Sequence, residues 1–122
     1  MQLKRVVVTG LGALTPIGNN IEEYWSALVN GVSGAAPITH FDATKFKTRF
    51  ACEVKNFTVT DFMNRKDARK MDKFTQYAMV ASDEAIADSG LDLDTINKLR
   101  VGVIWGAGIG GLETFQNEVL NF

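Results

Sequence analysis

The chain has 122 residues, 46% hydrophobic and 22% charged, the balance of a soluble globular domain and not of a disordered or low-complexity segment. Thirteen basic residues stand against fourteen acidic ones, a formal charge of −1, so no global field selects nucleic acid, an anionic membrane or an acidic substrate. A single cysteine excludes an internal disulfide, and with a single histidine it excludes a His/Cys metal cluster. No apolar run approaches the roughly 20 residues of a membrane helix. The opening "MQLKRVVVTG" has too brief an apolar run for a secretory leader, which makes the cytoplasm the expected compartment.

In chain order, the β-branched run Arg5–Thr9 closed by Gly10 reads as a core strand covered on both faces. The turn "GLGALTPIGNN" leads into a helix over "NIEEYWSALVNG", with Asn20 as its cap, Glu23 completing a capping box and Gly31 closing it. An irregular connection follows, then "TRFACEV", whose Phe50, Cys52 and Val54 alternate as in an extended piece. "RKDARKMDKFTQYAMVASDEAIADSG" reads as the longest helix, with Phe74, Ala78, Ala81 and Ala85 on one side and Gly90 at its end. Those small residues suggest close packing. "LDLDTINKL" is a short polar helix or turn, Val101–Trp105 a second buried strand, and Leu112, Phe115, Val119 and Leu120 begin another amphipathic helix. The order argues for an α/β fold with parallel strands joined by helical crossovers. Two strands cannot protect a sheet's edges, and "NEVLNF" stops without a cap, so the chain is expected to be the leading piece of something longer.

Gly106, Gly108 and Gly111 satisfy G-x-G-x-x-G, a pattern that can cradle a pyrophosphate at a helix N-terminus. Here it follows the second strand rather than the first, and the chain stops before the position about 20 residues on where the acidic partner is expected. The loop therefore reads as a structural or acyl-contacting turn before a dinucleotide site. No Gly-Lys-Ser/Thr follows "TGLGALTPIG", which excludes a P-loop. Cys52 reads as a small buried hydrophobe with no adjacent base, and His40 as a loop residue that caps or packs. Lys66, Arg69, Lys70 and Lys73 fall at i, i+3, i+4 and i+7, so one helix would gather four positive charges, extended by Arg65. Asp67 and Asp72 partly offset them, leaving a solvated face or a docking surface for an acidic partner.

Taken together, "RVVVTGLGALTPIG", "HFDATKFKTRFACEV", "RKDARKMDKFTQYA" and "VGVIWGAGIGGLETF" resemble, in order, the N-terminal part of a type II β-ketoacyl-acyl-carrier-protein synthase. The resemblance implies the N-terminal portion of the first half of a thiolase-like, layered α/β/α/β/α fold, with residues 1–122 an incomplete domain. It implies a cytoplasmic homodimer that condenses an acyl thioester with malonyl-acyl carrier protein, and whose catalytic cysteine, histidines and lysine lie beyond Phe122. It also implies that Ile109, with Gly108 and Gly110, contributes to the acyl pocket, and that Lys66, Arg69 and Lys70 dock acyl carrier protein. Ile109 favours type II, since the related type I enzymes tend to carry glycine there. No cofactor or metal is expected. The rivals are a non-catalytic carrier-binding module and a dinucleotide-dependent oxidoreductase.

Overall fold

Residues 3–122 are described by a computed structural model and fall into two units, Ala13–Thr58 and residues 3–12 with Val59–Phe122. In the first unit, helix α1 (Ile21–Val29) forms where its capping residues stand: Asn20 accepts from the Glu23 N–H at 2.8 Å. The Glu23 carboxylate reaches back one residue further than expected, to the Asn19 N–H at 2.8 Å. Gly31, at φ +65, closes the helix with paired 5→2 and 6→1 bonds, Gly31 N–H to Leu28 and Val32 N–H to Ala27.

The same unit holds the one strand ladder among the described residues, β1 (Ala36–Pro37) antiparallel to β2 (Phe50–Ala51). The Ile38 N–H continues it to Arg49 at 3.1 Å. Of the alternating Phe50, Cys52 and Val54, Phe50 and Cys52 are exposed, against the buried reading of Cys52, while Ala51 between them is half-buried. With only two residues a side, the hairpin offers no second layer to cover both faces, and the larger side chains take the solvent side. Glu53 fastens the entry to this hairpin. Its carboxylate accepts from the Thr39 hydroxyl at 2.7 Å, the Thr39 N–H at 3.1 Å and the His40 N–H at 3.3 Å, and these bonds, that to the Thr39 side chain foremost, hold it below the ordinary glutamate range.

In the second unit, the expected long helix is divided into α2 (Arg65–Ala68) and α3 (Lys73–Ser89). Asn64 caps α2 through the Asp67 N–H at 2.9 Å, and Gly90 ends α3 in the left-handed region at φ +66. The division falls at Asp72, which adopts the extended backbone of an N-cap and so starts a new helix. Gln76, one turn into α3, donates to the carbonyls of Ala68 at 2.9 Å and Met71 at 3.1 Å, and so ties the new helix to the turn before it; the Ala68 carbonyl also accepts the Met71 N–H at 3.2 Å.

The buried residues of this unit are Ala68, Ala78, Val80 and Ala81, so the small-residue side of α3 is where packing concentrates. Gly10 and Gly12 lie directly on it: a methyl at either would collide with the carbonyl of Ala85 or Ala81. Leu11 is tied to the same helix by its N–H to Asp88 at 2.9 Å. Helix α4 (Leu112–Leu120) closes the chain after a one-turn 3-10 helix at Lys98–Arg100.

The runs read as strands, residues 5–9 and 101–105, carry no ladder among the described residues. A strand is made by its hydrogen-bonding neighbours, and neither run has one: Val6 is 90% exposed and Ile104 98%. Val103 and Trp105 nevertheless line a groove with Phe74, Ala78, Met79 and Ser82 of α3.

Candidate functional site

The basic surface is built by α2 and the turn after it. Lys66, Arg69 and Lys70 are exposed, and the turn keeps helical spacing, with the Arg69 N–H bonded to Arg65 at 3.2 Å and the Lys70 N–H to Asp67 at 3.0 Å. Among the described residues, none of the three makes an ion pair within 4.0 Å. Asp67, the nearest acid in sequence, is engaged by the Asn64 amide at 2.6 Å. Lys73 departs from the expected stripe. It lies across the interruption, and its ammonium sits 3.2 Å from Glu113 at the head of α4. The positive surface is therefore three residues and Arg65, not a four-residue helical stripe.

The second element is the glycine loop. Gly106 and Gly108 have nothing within 4 Å of a would-be side chain, whereas a methyl on Gly110 would come 2.7 Å from the Phe74 ring. Gly111, at φ +71, turns the chain into α4. Ile109 is 79% exposed, with Asp72, Phe74, Gly110 and Thr114 around one cavity of about 300 Å³ beside it. The loop thus presents one branched apolar side chain from an otherwise unadorned backbone. The residues the sequence missed are Asp72 and Thr114, whose carboxylate and hydroxyl are hydrogen-bonded across this cavity. Asp72 was discoverable as a capping residue immediately before the apolar period of α3.

His40 and Cys52 belong to the other unit, Ala13–Thr58. The His40 Nε2 lies 3.8 Å from Glu53. Cys52 is free and exposed, contrary to the buried reading, because it follows the two-residue strand and not a covered one. Among the described residues, no three His, Cys, Asp or Glu side chains gather as metal ligands, and no helix is long and apolar enough to cross a membrane.

The family model "Beta-ketoacyl synthase, N-terminal domain" matches residues 3–121. The chain belongs to the β-ketoacyl synthase family, whose fold is the thiolase-like α/β fold. It is 53% identical over 116 residues to a 3-oxoacyl-acyl-carrier-protein synthase 2 of Vibrio harveyi, a match that covers 95% of this chain and 28% of that protein. It is 48% identical over 118 residues to the protein of the same name from Synechocystis sp., covering 97% of this chain and again 28% of the relative. The chain therefore spans under a third of the length of these relatives. Among solved structures, "The ishigamide ketosynthase/chain length factor" is 40% identical with a TM-score of 0.66, covering 72% of this chain and 22% of that one. The family match removes the dinucleotide reading of Gly106, Gly108 and Gly111.

Proposed function

We propose that the protein is an elongating condensing enzyme of fatty acid synthesis, and that residues 1–122 are the N-terminal portion of the first half of its thiolase-like fold. The observation that carries this reading is the match along 95% of the chain to a relative named 3-oxoacyl-acyl-carrier-protein synthase 2. In the proposed reaction, a cysteine thiolate beyond Phe122 takes the acyl group from its carrier thioester and releases the carrier thiol. Malonyl-acyl carrier protein then loses CO2. The carbanion left behind attacks the acyl-cysteine carbonyl, forming the carbon–carbon bond and expelling the cysteine thiolate, so that 3-oxoacyl-acyl carrier protein departs.

Within this scheme Lys66, Arg69 and Lys70 dock the acidic carrier, and Ile109, with Gly108 and Gly110, borders the acyl chain. Unpaired cations on one exposed surface steer an anionic partner and orient its arrival. A lone isoleucine on a glycine backbone meets a fatty chain without polar competition. The intact protein acts in the cytoplasm as a homodimer.

The test is incubation of the intact protein with acyl- and malonyl-acyl carrier protein. The expected result is CO2 and a 3-oxoacyl product in equal amounts; carrier binding without either product would make the protein a carrier-binding module. Replacing Lys66, Arg69 and Lys70 together by glutamate is expected to weaken carrier binding by about 100-fold and to flatten its salt dependence. Unchanged binding would remove the docking role.

A further inference from the structure

Asp72 stands at the N-cap of α3 with a suitable backbone, φ −62 and ψ 157, yet its side chain makes no capping bond. A carboxylate at this position ordinarily accepts from an N–H in the helix's own first turn. Here it turns to the head of α4, where Oδ1 accepts the hydroxyl of Thr114 and Oδ2 lies 3.1 Å from the point where a side chain on Gly111 would begin. The next two residues face the same stretch: Lys73 meets Glu113 at 3.2 Å, and the Phe74 ring covers Gly110. Three consecutive residues, the cap Asp72 and the first two of α3, thus hold residues 110–114. On the other side, Gln76 binds α3 to the carbonyls of Ala68 and Met71, next to Arg69 and Lys70.

This matters for Ile109 because, beyond the groove where Val103 and Trp105 meet α3, the glycines that lead to it have nothing packed against them. Gly102, Gly106 and Gly108 have open space around them, and Ile104 and Ile109 are largely exposed. The clasp on residues 110–114 is therefore the fixed point from which Ile109 projects. The Lys73–Glu113 pair joins two exposed side chains and adds little, and the Asp72–Thr114 bond beside the Phe74 ring is the more directional part of the clasp.

Resting on the reading of Ile109 given above, we propose that Asp72 is a positioning residue: acting through Thr114, it sets where Ile109 stands relative to Lys66, Arg69 and Lys70, and so sharpens the upper limit on acyl chain length. A misplacement of about 1 Å is enough to alter which chains fit a shaped pocket.

The experiment compares Thr114→Val, which removes the hydroxyl at similar shape, with Thr114→Ser, which keeps it, in the full-length protein. Amide hydrogen exchange across residues 108–114 is expected to quicken about tenfold in the valine variant and to stay at the original rate in the serine variant. The ratio of kcat/KM for the longest accepted acyl chain to that for a mid-length one is expected to shift about threefold with valine and to be restored with serine. Carrier affinity should stay within about twofold in both, since the basic surface is untouched. Unchanged exchange and chain preference with valine, or a serine variant that behaves like valine, would overturn the proposal. If the unmodified protein forms no 3-oxoacyl product, the condensing-enzyme reading fails and the chain-length role with it, while the exchange comparison still decides whether the clasp holds the loop.

Discussion

Two glycine-bearing turns follow similar apolar runs, Gly10-Leu11-Gly12 after Val6–Val8 and Gly106-Ala107-Gly108 after Val103–Trp105, and the molecule uses them in opposite ways. At the first, glycine is demanded by packing, because the backbone of α3 occupies the space a side chain would need. At the second, nothing approaches Gly106 or Gly108, and glycine leaves a bare backbone from which Ile109 projects. A shared spelling therefore marks two different physical settings: close approach of two chain segments, and a loop whose glycines nothing packs against. The neighbours of the glycine, not the motif, tell them apart.

Substitutions at the two turns sharpen this contrast. The largest effect is expected for Gly12→Val, where a branched side chain meets the Ala81 carbonyl and neither backbone can yield cheaply; a loss of about 3 kcal/mol or more should appear in the denaturation midpoint. A midpoint equal to the original would break the comparison. Next comes Gly111→Ala, whose left-handed φ of +71 penalises any side chain by about 1 to 2 kcal/mol, readable in the same unfolding curves. Gly106→Ala, in open space, is expected to stay within about 0.5 kcal/mol, and a loss as large as that of Gly12→Val would show that the second turn is packed after all.

The smallest effect lies outside both turns and serves as their control. The carboxyl of Glu53 is lowered by its hydrogen bonds in the folded state, so it contributes stability above the ordinary glutamate range and loses that contribution as pH falls through the lowered value. Glu53→Gln should flatten this acid dependence of stability. Gly106→Ala, which leaves Glu53 and its partners in place, should keep this acid dependence.

Short-range features were legible in the sequence because their causes are short-range. Asn20, Glu23 and Gly31 delimited α1, and Gly90 ended α3, since capping acts within a turn of the residue concerned. The interruption at residues 69–72 was hidden because Lys, Arg and Met sustain helical periodicity well, while the capping tendency of Asp72 competes locally. Residues 5–9 and 101–105 read as strands from their apolarity, but pairing depends on a neighbour that composition does not reveal. Lys66, Arg69 and Lys70 were found as a charged stripe, and Lys73 was wrongly joined to them because its partner, Glu113, lies forty residues away. The Asp72–Thr114 contact, separated by 42 residues, left no signal in either local stretch.

The most direct test of the contrast between the turns is Ile109→Phe in the intact protein, measured as the length distribution of 3-oxoacyl products alongside the unfolding midpoint. The account predicts a folded variant with a shorter longest product, because an aromatic ring fills space the acyl chain would occupy. An unaltered product distribution from a folded variant would contradict it and return the second turn to a purely structural role.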